Sequence, residues 1–244
     1  MATVWITGAS RGIGRACALL FGQKGWNVAV NYRTSESAAL SLCRELEGMG
    51  VKALALQGDV SDAVQVRRMA SRAEYAFGGI DVLVNNAGIA QQKLFTQLTE
   101  SDWDRMFDVN VKGMFHCCQA VAPMMIAAGK GSIVNLSSMW GQVGGACEVH
   151  YSAAKAAVIG FTRALAKELG LSGIRVNCVA PGVIDTEMNA ALGPETMESL
   201  REQTPLGCIG TPEQVAQAVL FLAGEDSSFI TGQVLSPNGG FVIG

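Results

Sequence analysis

Short apolar runs rich in β-branched residues alternate along the chain with longer stretches of helical periodicity. Thr3 to Thr7, Asn27 to Tyr32, Lys52 to Gln57, Asp81 to Asn85, Gly131 to Ser137, Ile174 to Ala180 and Gln233 to Ser236 read as strands. Several are apolar almost throughout, as in strands covered on both faces. Between them, 12–24, 35–48, 62–77, 101–127, 151–170 and 212–223 read as helices. The alternation predicts right-handed crossovers and an α/β fold: a doubly wound, parallel, seven-stranded sheet with helices on both faces. With no linker, repeat or low-complexity segment, residues 1–244 are expected to form one domain. The weakly periodic stretch 186–211, with Gly193, Pro194, Pro205, Gly207 and Gly210, is expected to be an insertion that acts as a mobile substrate lid.

Composition narrows the class. Hydrophobic residues make up 49% and charged residues 16% of the 244, enough for a substantial core. Net charge is −3 with scattered basic residues, which points away from nucleic acid and from a polybasic membrane patch. No apolar run reaches membrane-spanning length, and the N-terminus runs into a glycine turn without the features of a signal peptide. The seven cysteines form no Cys-x-x-Cys, and His116 and His150 share no metal-like spacing with them. The expectation is a reducing cytoplasm, with neither disulfides nor a metal.

Two motifs carry chemistry. Gly8-x-x-x-Gly12-x-Gly14 follows a strand and opens a helix, where free N–H groups and an approachable backbone suit a pyrophosphate. A plain strand-to-helix turn is the other reading. Further along, Tyr151 and Lys155 stand four residues apart on one helical face. A nearby cation favours the phenolate, so Lys155 is expected to lower the Tyr151 pKa and prepare it to exchange a proton with an alcohol oxygen. Together the motifs suggest hydride chemistry on a dinucleotide. An NAD-specific fold places Asp or Glu about 20 residues after such a turn. This chain instead reads Asn31-Tyr32-Arg33-Thr34, so Arg33 and Arg11 are candidates for a 2′-phosphate, unless both are simply solvated.

With Asp59-Val60, Asn85-Asn86-Ala87-Gly88, Asn110, Ser138, Pro181-Gly182, Thr186 and Asn238-Gly239-Gly240, these motifs resemble the short-chain dehydrogenase/reductase family over essentially the whole chain. Within it the chain is most similar to the 3-oxoacyl-[acyl-carrier-protein] reductases. The resemblance implies a Rossmann fold and NADP(H). It implies cofactor contacts from Gly8, Ser10, Arg11, Gly12, Ile13, Gly14, Tyr32 and Arg33. Asp59 and Val60 would meet the adenine, and Asn86, Ala87 and Gly88 the cofactor's middle. Pro181, Gly182, Ile184 and Thr186 would clamp the carboxamide. It also implies a tetrad of Asn110, Ser138, Tyr151 and Lys155, with Tyr151 and Lys155 touching the cofactor as well. Asn110 would hold a relay water. Ser138 would hold the substrate carbonyl, although Ser137 is its neighbour and only family spacing separates them. Asn110 also reads as a helix-interior amide bonded to backbone.

His150 should point about 100° away from Tyr151 on a helix and receives no role. Cys147 receives no role beyond packing near the substrate mouth. The group's basic carrier-docking patch is thin here, with only Lys130 and Arg175 in the corresponding stretches. Other ketones therefore stay open as substrates, including an elongation factor P 5-aminopentanone or a small sugar or alcohol. A non-catalytic dinucleotide-binding regulator would not need Tyr151 and Lys155 together. The long apolar helices 101–127 and 151–170 and the tail Phe241-Val242-Ile243-Gly244 predict a homotetramer.

Overall fold

The computed structural model describes residues 1–190 and 192–243. Position 191, inside the expected lid, and Gly244, at the end of the apolar tail, lie outside the described residues. In chain order the elements are β1 (Thr3–Ile6), α1 (Gly12–Gln23), β2 (Asn27–Tyr32), α2 (Glu36–Gly48), β3 (Ala53–Gln57), α3 (Ala63–Phe77) and β4 (Val82–Asn85). There follow α4 (Glu100–Phe107), α5 (Gly113–Ala128), β5 (Gly131–Leu136), α6 (Trp140–Val143) and α7 (Val149–Leu169). The chain continues through β6 (Ile174–Val179), α8 (Pro194–Gln203), α9 (Pro212–Ala223) and β7 (Val234–Leu235).

The seven strands pair in parallel in the order β3-β2-β1-β4-β5-β6-β7, the predicted doubly wound sheet. Side chains alternate across it. Val4, Ile6, Val28 and Val30 join the core under α1, α2 and α9. Trp5, Ala29, Leu83 and Ile133 join the core under α3, α5 and α7. Both faces are therefore apolar, which is why the strands read as near-continuous apolar runs. Each large aliphatic side chain buried this way contributes about 1.5–3 kcal/mol. Helix starts are written locally. Asp62 accepts from the backbone of Val64 and Gln65 ahead of α3, and Thr99 and Thr211 build capping boxes with Asp102 and Gln214 ahead of α4 and α9.

Three elements depart from the sequence pattern. The helix expected over 101–127 is α4 and α5 joined by a π-helical turn, Asp108–Lys112, with Asn110 at its centre. The Asn110 amide takes the Met106 carbonyl at 3.1 Å, a bond that competes with the regular ladder. The stretch 186–211 contains α8, started by Pro194 in its first turn. β7 stops at Leu235, earlier than expected, because Pro237 has no N–H to continue a ladder.

One expectation is corrected. Arg175, thought to face an acidic carrier, is spent inside the fold. Its guanidinium donates to the carbonyls of Leu222 at 2.7 Å, Ala223 at 3.1 Å and Gly224 at 3.0 Å, and to Ser227 Oγ at 2.9 Å. It satisfies the carbonyls at the end of α9, where a cation is also favoured by the helix dipole.

Candidate active site

Strand order reverses between β1 and β4, and open α/β sheets place ligands outside the strand ends at such a point. The glycine turn after β1 meets the segment Asn86–Gly88 after β4 there. Thr7 Oγ1 accepts from the N–H groups of Asn86 and Ala87, each at 3.0 Å. Asn86 Nδ2 donates back to the carbonyls of Thr7 at 2.9 Å and Gly8 at 3.0 Å. Gly8, at φ 62°, occupies the left-handed region that a side chain resists. A Cβ on Gly14 would stand 2.5 Å from the Gly8 carbonyl oxygen. α1 starts at Gly12, after Arg11, with no side-chain cap and no acid in its first turn. Its first N–H groups therefore suit an anion, and the turn fits the pyrophosphate of a dinucleotide. Ser10 lies half-buried in this turn, and Ile13 packs against the core.

At the far end of the crevice, Asp59 gathers two arginines, with Arg33 at 3.4 Å and Arg105 at 3.9 Å. Burial pushes the Asp59 carboxyl up, but hydrogen bonds from Ser61 and the charges of Arg105 and Arg33 leave it below the ordinary range. The buried Val60 lines a small cavity with Asn110 and Asn85. Tyr32 is buried too, and its hydroxyl donates to Glu36 at 3.3 Å, so the ring belongs to the core beside the crevice. Arg11 is exposed and pairs with Glu187 at 2.9 Å, tying the turn to the segment that follows Thr186. Thr186 stands beside Gly12, and Gly182 lies so close to Asn238 that a Cβ would come within 2.8 Å of its Cα. The Pro181 carbonyl accepts from Met139 N at 2.9 Å, joining this segment to the one that carries Ser138. Ile184 is buried and bridges to Gly210.

The π turn, the end of β5 and α7 bring Asn110, Ser138, Tyr151 and Lys155 to the same crevice, each at most 9% exposed. The two serines separate here. Ser137 Oγ donates to the Lys155 carbonyl at 2.7 Å and is committed to α7. Ser138 Oγ accepts from Trp140 N at 3.2 Å and lies near enough to the Tyr151 phenol to favour its charged form. Lys155 Nζ donates to the Leu136 carbonyl at 2.9 Å and lies 5.6 Å from the centre of the Tyr151 ring. Asn110 is bonded to backbone on both sides of its amide. Nδ2 donates to the Ile89 carbonyl at 3.0 Å, and Oδ1 accepts from Ile89 N at 3.2 Å. A Cβ on Gly88 would meet Asn110 Oδ1 at 2.6 Å and Lys155 Nζ at 3.4 Å, so that position holds the two side chains close.

The expected direction of the Tyr151 shift is reversed. Burial pushes the phenol up to about 12, against the Ser138 hydrogen bond, and Glu148 raises it further. Burial also drives Lys155 down to about 8, which weakens the cation that was to lower the phenol. Tyr151 thus keeps its proton at neutral pH.

Sequence reasoning missed several supports. Asn31 Oδ1 accepts from Gly8 N at 3.1 Å, while Nδ2 donates to the carbonyls of Leu56 at 3.2 Å and Gly58 at 3.0 Å. A chain of Asn85, Asn135 and Thr162 crosses from β4 through β5 to α7, at 2.8 and 3.0 Å. The available signal was a polar residue inside an apolar run, since buried polar groups are retained where they have partners. Among the described residues no group of three or more His, Cys, Asp or Glu could hold a metal ion, and no helix is long and apolar enough to cross a membrane. All seven cysteines are free thiols.

A family model described as enoyl-(acyl carrier protein) reductase matches residues 8–242. The chain is 44% identical over 235 residues to a 3-oxoacyl-[acyl-carrier-protein] reductase of Staphylococcus aureus, covering 96% of each. It is 45% identical over 238 residues to that of Thermotoga maritima, covering 98% of this chain and 96% of the relative. The crystal structure of a Brucella melitensis 3-oxoacyl-[acyl-carrier protein] reductase superposes with a TM-score of 0.93 at 37% identity, covering 99% of this chain and 92% of that one. The match runs through the glycine turn, the Tyr151–Lys155 helix and the C-terminal strand alike, and the chain belongs to the short-chain dehydrogenase/reductase family of oxidoreductases.

Proposed function

We propose that the chain is an NADPH-dependent 3-oxoacyl-[acyl-carrier-protein] reductase. The observation that carries this is the Lys155 ammonium 5.6 Å from the Tyr151 ring, with Ser138 buried alongside, on a chain whose glycine turn suits an anion and which is 44–45% identical to reductases of that name. When bound, the nicotinamide supplies the hydride to the carbonyl carbon. Ser138 holds the carbonyl oxygen by a hydrogen bond, and Tyr151 delivers its proton as negative charge grows there. Lys155 stabilises the phenolate left behind and binds the ribose hydroxyls. Pro181, Gly182, Ile184 and Thr186 would orient the carboxamide. Asn110 fixes the loop after β4 through Ile89, and its Oδ1 faces Lys155 across Gly88, where a relay water would pass protons to the ammonium.

Two predictions belong to this scheme. The Lys155 ammonium is charged below its pKa of about 8 and neutral above it. Since the charged form stabilises the developing phenolate, kcat/KM for ketone reduction should be level at neutral pH. It should then fall by up to about tenfold per pH unit above the lysine's pKa. A profile still level two units above would remove Lys155 from this role. Arg11 and Arg33, with no acid at the end of β2, favour a 2′-phosphate, so NADPH should be used in preference to NADH. Arg33→Asp should weaken NADPH and relatively favour NADH. Equal catalytic efficiency of the wild type with both cofactors would contradict this.

We also propose a homotetramer. Phe115 and Ile126 on α5, Trp103 on α4 and Val149 on α7 are 39–48% exposed, and Ile243 of the tail is 88% exposed. Such apolar surface favours association. Light scattering that gave a monomer mass at micromolar protein would overturn it.

A second reading, reduction of a ketone not borne by a carrier, is favoured by one observation. Arg175 is committed to α9, and Lys130 pairs with Asp81 at 3.2 Å, so neither basic residue of the docking stretches is unpaired. Electrostatic steering acts mainly on association rate. A small acetoacetyl thioester should therefore be reduced with ordinary kcat, while carrier-bound substrate gains a modest, salt-sensitive advantage in kcat/KM that Lys130→Glu erodes. No turnover of either thioester, with turnover of an aminopentanone-modified translation factor or a small sugar ketone, would move the assignment to the second reading.

A further inference from the structure

His150 is fully buried next to Tyr151, and no step above uses it. Its side chain does turn away from the crevice, as helix geometry requires, and it meets the loop after β4. The ring Nε2 lies 2.9 Å from Gln91 Oε1. The Gln91 amide is oriented by its other end, where Nε2 donates to Asp102 Oδ1 at 3.0 Å. Its oxygen therefore faces the imidazole, and Nε2 of His150 carries the proton and donates. Burial lowers the His150 pKa, consistent with a neutral ring. Asp102 is anchored in turn by Lys93 at 2.6 Å and by the Thr99 cap of α4.

The same loop holds the other side of the site. Ile89 exchanges two hydrogen bonds with Asn110, and Lys93 N donates to the Cys147 carbonyl at 2.8 Å. Cys147 has φ 61°, a left-handed conformation that a non-glycine residue keeps only where its surroundings enforce it. The start of α7 needs such support. Tyr151 is the third residue of that helix, and the N-cap, Glu148, makes no side-chain cap. Side-chain bonds hold this start at three places: Gln92 Nε2 donates to Glu148 Oε1 at 3.2 Å, Gly145 N donates to Ser152 Oγ at 3.0 Å, and His150, alone of the three fully buried, meets Gln91.

We propose that His150 and Gln91 are positioning residues for carbonyl reduction: their partly buried bond joins the first turn of α7 to the loop Gly88–Lys93 and keeps the Tyr151 hydroxyl in register with Ser138 and Asn110. This rests on the reductase reading above. A displacement of about 1 Å in a reacting group can cost on the order of 10²-fold in rate.

The test is a cycle of His150→Phe, which keeps a ring and removes the donor, Gln91→Leu, which removes the acceptor, and the double variant. It is read as kcat, KM for NADPH and melting temperature, with His150→Gln as the variant that restores an N–H. Each single change should lower kcat roughly ten- to a hundredfold, leave KM for NADPH within about twofold, and the double should fall no further than the worse single. His150→Gln should recover kcat over His150→Phe. Unchanged kcat with only a lowered melting temperature, or losses that multiply in the double variant, overturns the proposal. If His150→Phe fails to fold, Gln91→Leu decides alone, since Gln91 sits half-buried in a loop. The ratios are taken on whichever ketone the wild type reduces, so a wild type inactive on 3-oxoacyl thioesters counts against the substrate assignment and not against this bond.

Discussion

Tyr151→Phe is expected to lower kcat by about 10²–10⁴-fold while leaving NADPH affinity nearly unchanged. Tyr151 is 9% exposed and packs with Met106 and Ala154, so phenylalanine keeps the contacts that shape the site. What is lost is the proton. The phenol, pushed up to about 12, holds that proton across the neutral range and releases it only as charge develops on the bound carbonyl oxygen. Ser138 can still hydrogen-bond the oxygen, which sets the residual rate. A fluorescence titration with NADPH and a turnover assay on the same preparation separate binding from chemistry. Activity within about tenfold of wild type would mean that another group supplies the proton.

Gly14→Ala is expected to be the most damaging single-methyl change in the turn. The added Cβ would lie 2.5 Å from the Gly8 carbonyl oxygen, 2.6 Å from Asn86 Nδ2 and 2.9 Å from Ala9 Cα. Two of these atoms are backbone, and the third belongs to the amide that fastens the turn to the segment after β4. None can yield without opening the pyrophosphate cradle. Overpacking of this kind costs about 1–3 kcal/mol of stability. NADPH affinity should fall by more than about 100-fold, because the displaced N–H groups are the ones that meet the anion. Gly48→Ala is the control. It meets nothing within 4 Å and sits at the end of α2, so its stability should change by no more than about 1 kcal/mol, with NADPH binding intact. Equal NADPH affinity in the Gly14 and Gly48 variants would contradict the cradle.

The fold was legible because both faces of the sheet are covered, which leaves strands such as β1 and β4 apolar at three of four positions between amphipathic helices. The glycine turn and the Tyr151–Lys155 pair were legible because each is local in sequence. What was not legible depends on contacts between distant segments. The Asn110 amide in the π turn is held by Ile89, 21 residues away. The Tyr151 shift was misjudged because the separation of four residues shows the cation but not the burial that weakens it. Arg175 looked like a surface charge until α9 was seen to end against it. The choice between Ser137 and Ser138 needed the Lys155 carbonyl, which takes the Ser137 hydroxyl.

Reduction of a 3-oxoacyl group can be read straight from the products of single substrates. Purified protein with NADPH is offered a 3-oxoacyl, a 2-enoyl or an amine-bearing ketone substrate in parallel, and products are identified by mass and hydroxyl position. NADPH oxidation should be matched one for one by 3-hydroxyacyl product from the 3-oxoacyl thioester, and the Tyr151→Phe variant should form that product about 10²–10⁴-fold more slowly. An unchanged 3-oxoacyl thioester, with the enoyl thioester or the amine-bearing ketone consumed instead, would contradict it.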